Sequence, residues 1–479
     1  MKILLLIAPY NPCEYYPDYQ AKPSKLALNK NIGLIPGATT PLGPLYIAAV
    51  LKNAGHDVKL IDGIFYSWED VEKAVKNERP QVAGISVTAF GFDRTMRLTA
   101  LIKNINPKIH TIIGGPFPDA MQEKCLEEDP NLDAVSIGDG EYIMRDFCNA
   151  IENCNDLSKV KGIIWRDGTG KIIKNPPCSF IENLDELPFP ARELVEVKRY
   201  SPAIGHYKKL PNATIIGSRG CKGQCIFCHT KIFPGLYTRF RRPELVVDEM
   251  EELIKKYDIK DFLFWDNNIT EDKERTVKFC EDIIKRKLNI VWSGNTRADS
   301  IDKNLAILMK KSGCWKLLIG VESGTQKSLD ILNKGETVEQ IEKAVGWIKK
   351  AGIDVFATFI FGIPGETYQD ALKTIDLAIK LEPDVAKFFT LSINPGSIIS
   401  TKFQEYGTMD TTSYAQCFQG EGFVPYSMSR EELHKVIAKA YRRFYMRPYF
   451  ILRRISKIRS IEDIKQNMRG FLAFSKVPD

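Results

Sequence analysis

The sequence has no uninterrupted apolar run of the roughly 18 residues that a membrane-spanning helix requires. Its apolar start, Met1-Lys-Ile-Leu-Leu-Leu-Ile-Ala, is short, has no small-residue cleavage site and runs into Pro9-Tyr10-Asn11-Pro12. That pattern reads as a first buried strand, not a signal peptide, and the cytoplasm is the expected location. No internal repeat of fixed short period occurs. A large excess of one charge is also missing, with 67 basic against 60 acidic residues. The formal net charge is +7, and the excess lies in the stretch from Arg430 onward, which holds Arg442, Arg443, Arg447, Arg453, Arg454, Arg459 and Arg469.

Cysteine is present but dispersed. In a long chain without a leader, eleven cysteines suggest reduced thiols or metal ligands before disulfides. Cys13, Cys125, Cys148, Cys154, Cys178, Cys280, Cys314 and Cys417 are scattered, as buried small hydrophobes would be. Cys221, Cys225 and Cys228 form a tight group.

At 479 residues the chain exceeds one ordinary core. Up to residue 154, short β-rich runs (Ile3 to Ile7, Val58 to Ile61, Val82 to Val87, Thr111 to Ile113, Ala134 to Ile137) alternate with amphipathic stretches such as Leu45–Asn53 and Arg94–Asn104. Alternation of this kind predicts a doubly wound, Rossmann-like parallel sheet, with a ligand crevice at the carboxyl ends of its strands. Residues 155–210 read as a linker containing a β-hairpin around Asp167-Gly168, followed by a proline-rich passage. Residues 211–400 begin a second alternation, with strands at Thr214–Gly217, Asp261–Trp265, Ile290–Ser293, Lys316–Gly320, Val355–Phe361 and Ala386–Leu391. Six such units predict a partial (β/α)6 barrel with chemistry at its carboxyl edge. Residues 401–479 read as a helical, basic tail. The fold class is α/β throughout.

Directly after the first strand of that second alternation stands Cys221-Lys-Gly-Gln-Cys225-Ile-Phe227-Cys228-His229. Soft thiolates select zinc, Cu(I) or iron–sulfur centres. Zinc would need a fourth ligand, which adjacent His229 offers. A [4Fe–4S] cluster held by three cysteines leaves one iron open to a cofactor or substrate. The CxxxCxxC spacing, with an aromatic residue before the last cysteine and a following βα barrel, resembles the radical S-adenosylmethionine (SAM) superfamily. The resemblance implies that Cys221, Cys225 and Cys228 ligate the cluster and that the open iron chelates the methionine end of SAM. Reductive cleavage would then yield a 5′-deoxyadenosyl radical.

The same resemblance assigns cofactor contacts along the barrel to Phe227, Asp266, Asn267 and Asn268, Glu322 and Ser323, and Gly362 and Pro364. Asp266-Asn267-Asn268 departs from the family's commoner Gly-Gly-Glu form. Arg297, after the third strand, is expected to pair with the methionine carboxylate, since arginine binds carboxylates bidentately.

Ahead of the barrel, Pro41-Leu42-Gly43-Pro44, Gly114-Gly115-Pro116 and Gly138-Asp139-Gly140-Glu141 resemble the cobalamin-binding domain of one large radical SAM class. Leu42, Gly43, Ser86, Thr88, Gly114, Gly115, Pro116, Gly138 and Glu141 are the implied corrin contacts. The chain has five histidines, no Asp-x-His-x-x-Gly motif, and no histidine in the Ser86–Asp93 loop. Cobalamin is therefore expected without a protein histidine ligand. The competing reading of this domain is a Rossmann-like scaffold that binds no corrin.

The implied activity is C-methylation of an unactivated carbon. Beside it stand a radical oxidative cyclase or rearrangement enzyme resembling the anaerobic magnesium-protoporphyrin IX monomethyl ester cyclase, and, from another class, a non-catalytic iron–sulfur or zinc protein. The expected partners are a small-molecule or lipid-like substrate and an external electron donor such as flavodoxin or ferredoxin. No nucleic acid is expected. The arginine–aromatic tail suits a peripheral contact with the inner membrane face, or a helical cap with a solvated basic face.

Overall fold

The computed structural model describes residues 1–10, 35–88, 91–154, 156–203, 205–232, 237–409 and 422–456. Cys13, Cys417, Arg459, Arg469 and the Ala89–Phe90 part of the Ser86–Asp93 loop lie outside the described residues. The chain divides into two compact units, one reaching Tyr200 and the other continuing from Ser201.

In the first unit the order along the chain is β1 (Lys2–Ile7), α1 (Leu42–Asn53), β2 (Asp57–Asp62), α2 (Trp68–Glu78), β3 (Val82–Ser86), α3 (Phe92–Ile105), β4 (His110–Gly114), β5 (Ala134–Ser136) and α4 (Gly140–Glu152). The five strands are parallel and lie in the order β2-β1-β3-β4-β5. Leu4, Leu5 and Leu6 of β1 are all buried, as expected where helices cover both faces of a parallel sheet. Leu45 of α1 and Phe147 of α4 pack in one apolar cluster with Ile3, Leu5 and Ile112. Helix α2 starts at a capping box in which Ser67 and Asp70 satisfy each other's backbone N–H groups. The order in which strands are added reverses between β1 and β3, so their carboxyl ends frame the crevice of a doubly wound sheet.

The hairpin expected inside a linker belongs to this sheet. Strands β6 (Ile163–Arg166) and β7 (Ile172–Lys174) run antiparallel and extend it to seven strands, with Ser136 opposite Ile163. Its turn closes through Asp167 N–H to the Lys171 carbonyl at 2.9 Å. The physical reason is edge protection: β5 would otherwise present open backbone groups. Ile163 and Ile164 are buried by the pairing.

The second unit contains β8 (Asn212–Ile215), α5 (Pro243–Tyr257), β9 (Asp261–Phe264), α6 (Lys273–Lys285), β10 (Val291–Thr296), α7 (Lys303–Lys311), β11 (Cys314–Glu322), α8 (Val338–Lys350), β12 (Asp354–Phe361), α9 (Tyr368–Leu381) and β13 (Val385–Thr390). All six strands are parallel and follow in sequence from β8 to β13, the arrangement of a partial (β/α)6 barrel. Side-chain oxygens of Asp272, Asp302, Thr337 and Thr367 cap the helices that return along it.

Helix α10 (Arg430–Tyr445) covers the last strand. The Tyr445 hydroxyl donates to the Ala386 carbonyl at 2.7 Å and accepts from the Ala386 N–H at 3.0 Å. Tyr441 makes the same pair with Phe388. The edge of β13 is thus satisfied by side chains. Arginines of the basic tail serve the same packing. Arg443 pairs with Asp376 at 2.9 Å, Arg447 donates to the Ile379 carbonyl at 3.3 Å, and Arg453 binds Asp384 and the Glu382 carbonyl.

Candidate active site

The loop after β8 is held at both ends before any cysteine is reached. Ser218 and Arg219 pair antiparallel with Phe240 and Arg239. Asp266, just past β9, accepts from Gly217 N–H at 2.7 Å and from Ser218 Oγ at 2.6 Å. Arg275 of α6 donates to the Gly217 carbonyl at 2.8 Å, and Arg241 to the Ile216 carbonyl at 2.9 Å. Gly220 has φ +100°, and a Cβ there would lie 2.8 Å from the Tyr237 carbonyl oxygen. Glycine is required at that turn.

Cys221 and Cys228 are half-buried, and Cys225 is 8% exposed. Gly223 N–H reaches Cys221 Sγ at 3.4 Å. Two other segments clamp the loop: Ile226 N–H donates to the Leu332 carbonyl at 3.0 Å, and Ile399 N–H to the Ile226 carbonyl at 3.0 Å. Asn333 Nδ2 adds a bond to the Gln224 carbonyl at 3.1 Å. Phe227 packs against the apolar cluster of Leu332, Ile360, Ile363 and Leu391. Its ring anchors the loop in the core.

Burial pushes the Cys221 and Cys225 thiols up from the ordinary cysteine range. At Cys225 this is opposed first by Lys334 and then by Arg297. Soft thiolates backed by cations suit an iron–sulfur centre. Among the described residues no three His, Cys, Asp or Glu side chains are grouped about a single-ion position. His229, the expected fourth ligand, has Nδ1 on the Pro395 carbonyl oxygen at 3.1 Å. A cubane instead spreads its three cysteines over three irons, as a loop encircling a cluster does.

Several residues expected to touch SAM are committed to protein partners. Asp266 is 0% exposed, and both its oxygens bond the start of the cluster loop. Glu322 has φ +64° and turns back to pair with buried Lys334 at 3.2 Å. A Cβ on Gly320 would stand 2.1 Å from Glu322 Oε1, so that glycine makes room for the ion pair. Ser323 is buried, with Oγ 3.3 Å from Thr374 Oγ1. Arg297 is held bidentately along its Nε–Nη2 edge by Asp299.

Others remain placed for a ligand. Asn267 stands exposed above the loop and donates to the Gly220 carbonyl at 3.1 Å. Asn268 is buried. Its Oδ1 accepts from Arg297 N–H at 3.3 Å, which fixes the amide's orientation, and its Nδ2 is buried without a protein partner. An orphaned donor of this kind at a barrel's carboxyl edge fits an acceptor on a bound cofactor. Gly362 and Ile363 fold over Glu366, whose Oε2 accepts both N–H groups at 2.8 and 3.3 Å. Pro364 is buried beside them. Burial pushes the Glu366 carboxyl up to about 7. This acid supports its own loop and lies ahead of α9, not within its first turn.

In the first unit the expected corrin contacts fall at the carboxyl ends of β3, β4 and β5 and in the first turns of α1 and α4. Leu42 and Glu141 are buried, whereas Gly43 is exposed with open space where a Cβ would be. Ser86 ends β3, Thr88 is exposed, and Val87 N–H donates to the Gly114 carbonyl at 2.9 Å. Gly115 (φ +115°) and Gly138 (φ +102°) shape the next two loops, with Pro116 opening a short helix, Pro116–Met121. Asp119 accepts from Gly138 N–H at 2.9 Å, and burial pushes its carboxyl up to about 7. His56 and His110 lie at the opposite, amino ends of their strands. Among the described residues these loops carry no histidine.

Residues 215–378 match the radical SAM superfamily model and residues 30–147 match the B12 binding domain model. The anaerobic magnesium-protoporphyrin IX monomethyl ester cyclase of Rubrivivax gelatinosus is 31% identical over 431 residues, covering 87% of this chain and 76% of the cyclase. The chain belongs to the radical SAM superfamily, in the branch with a B12-binding domain. It is an enzyme, and the cofactors of its class are a [4Fe–4S] cluster, SAM and cobalamin. An uncharacterized methyltransferase of Pyrococcus horikoshii is 29% identical over 463 residues, 94% of this chain and 96% of that protein. Among solved structures, the radical SAM methyltransferase TsrM from Kitasatospora setae superposes with a TM-score of 0.72 at 18% identity, covering 94% of this chain and 90% of TsrM. The cobalamin-dependent enzyme OxsB gives 0.72 at 18% identity, covering 99% of this chain and 72% of OxsB. The fold is shared across these proteins. Among the described residues no helix is long and apolar enough to cross a membrane.

Proposed function

We propose that this enzyme transfers a methyl group to an unactivated carbon of a small molecule. The observation that carries the reading is the pairing, in one chain, of a three-cysteine loop at a barrel's carboxyl edge with a second, histidine-free carboxyl edge among the described residues. When bound, the cluster supplies one-electron cleavage of SAM and the corrin supplies a methyl group. The protein's part is placement. Asp266, Arg275 and Arg241 fix the loop that presents Cys221, Cys225 and Cys228, and Asn268 offers Nδ2 to the cofactor. Trp265, 54% exposed at the end of β9, and Phe389, exposed near the end of β13, supply apolar surface for the substrate.

The electron enters from an external flavodoxin or ferredoxin. Arg443, Arg447 and Arg453 of the tail bind α9 and the loop after it, which favours a helical cap over a membrane contact.

Similarity to the cyclase keeps oxidative cyclisation as a second reading. Anaerobic reconstitution with iron, sulfide and hydroxocobalamin, followed by product analysis after reduction, separates the two. Methyl transfer requires S-adenosylhomocysteine alongside 5′-deoxyadenosine and a labelled methyl group in product. Deoxyadenosine with retained corrin but no S-adenosylhomocysteine favours cyclisation. Absence of deoxyadenosine from cluster-loaded protein overturns both.

A further inference from the structure

The guanidinium of Arg297 has few donors left for a cofactor. Nε donates to Asp299 Oδ1 at 3.1 Å, and Nη2 donates to Asp299 Oδ2 at 2.9 Å and to the Lys334 carbonyl at 2.7 Å. Three of the five N–H groups are therefore used, and no free edge remains for a second bidentate carboxylate. The remaining nitrogen, Nη1, points at Cys225 Sγ, 3.8 Å away. The residue is 7% exposed. A Cβ on Gly223 would stand 2.9 Å from Nη1, so the glycine between Cys221 and Cys225 is what lets the guanidinium approach.

Behind it lies a second buried cation. Lys334 sits between Glu322 at 3.2 Å and Glu336 at 3.6 Å. Glu336 in turn accepts from Ala298 N–H at 2.8 Å, which fixes the backbone that carries Arg297. The turn bearing Lys334 is the one that clamps the cysteine loop through Leu332 and Asn333.

We propose that Arg297 is a positioning residue for the cluster and not a ligand to the cofactor's carboxylate: it donates to Cys225 Sγ and, with Lys334 behind it, raises the cluster's reduction potential. The inference rests on the cluster reading above. Its physical basis is that a donor and a nearby positive charge favour the more negative, reduced state, and that hydrogen bonds to sulfur and local charge set iron–sulfur potentials.

The test uses the anaerobically reconstituted full-length enzyme, first without SAM. Iron and sulfide content establish the cluster, an EPR-monitored redox titration gives its midpoint, and equilibrium binding gives SAM affinity. Arg297→Met is expected to shift the midpoint to lower potential at unchanged iron content, with Arg297→Lys intermediate and SAM affinity held within about twofold. An unchanged midpoint in Arg297→Met overturns the proposal. So does a loss of about tenfold or more in SAM affinity, which would return Arg297 to the carboxylate. Should Arg297→Met fail to retain iron, Gly223→Ala decides. It keeps every charge but puts a Cβ 2.9 Å from Nη1, and a downward midpoint shift supports the proposal while an unchanged or raised midpoint overturns it. Wild-type enzyme that takes up no cluster would defeat the underlying reading instead, a result distinct from an unshifted variant.

Discussion

Asp266 Oδ2 and Ser218 Oγ lie 2.6 Å apart in the core of the second unit, and both residues are buried. The contact ties the loop after the second barrel strand to the start of the cysteine loop after the first. Asp266→Asn keeps the side chain's size but exchanges one acceptor oxygen for a donor facing Ser218 or Gly217. The Ser218 hydroxyl can turn to accept from the new amide, so the loss is the charge-assisted character of both bonds and the negative charge facing Arg275 and Arg241, at a cost of about 1–3 kcal/mol. We expect a lower unfolding midpoint by thermal or urea denaturation. Reduced iron per chain after reconstitution should accompany it, because the carboxylate holds the loop that carries the ligands.

Glu366 gives the fold a pH dependence of predictable sign. Burial pushes its carboxyl up to about 7 in the folded protein, whereas the unfolded chain titrates near the ordinary glutamate value of about 4.3. Between those values the folded state binds more protons, so this group's contribution to stability falls as pH rises from about 4.5 to 7 and is level above that. Glu366→Gln retains an acceptor for Gly362 and Ile363 and cannot ionise. Urea unfolding at pH 5 and pH 7.5 should show the wild type losing more stability across the interval than the variant. Equal losses would refute the assignment.

Gly115 joins β4 to the short helix that follows, at φ +115°. An added Cβ would meet the Val87 carbonyl oxygen at 2.9 Å. Gly115→Ala therefore meets both a backbone conformation closed to alanine and a collision with backbone, of order 1–3 kcal/mol for the strain alone. The distortion falls on the crevice between β3 and β4. Hydroxocobalamin retention after desalting is expected to drop, while iron uptake by the second unit stays at the wild-type level.

Tyr445→Phe removes the hydroxyl that serves both backbone groups of Ala386 on the edge of β13. The loss is expected to cost about 1–2 kcal/mol, and hydrogen exchange at the Ala386 amide should accelerate. If exchange there is unchanged, the tyrosine does not protect that edge.

Much of this architecture was legible from the residues alone. Runs of β-branched and aliphatic residues at β1, β3, β4 and β12, with capped amphipathic segments between, have few solutions other than parallel βα units, because both sheet faces must be covered. The cysteine spacing was legible for a similar reason. Three soft ligands within eight positions have little structural use except a metal centre.

What the sequence could not show was which polar residues serve ligands and which serve the protein. Asp266, Glu322, Ser323 and Arg297 stand at the strand ends where cofactor contacts were expected, and each is engaged by a partner distant along the chain: Ser218, Lys334, Thr374 and, across the cluster loop, Cys225. Lys334 and Glu336 carry no motif in the sequence, although Asn333 and Gly335, both at positive φ, mark a tight reversal there. The hairpin at 163–174 likewise read as a linker, since nothing local says which sheet edge a hairpin will cover. Periodicity and ligand spacing are short-range properties and are written in the sequence. The pairing of buried charges depends on which strand ends the barrel brings together, and that was decided only by the tertiary structure.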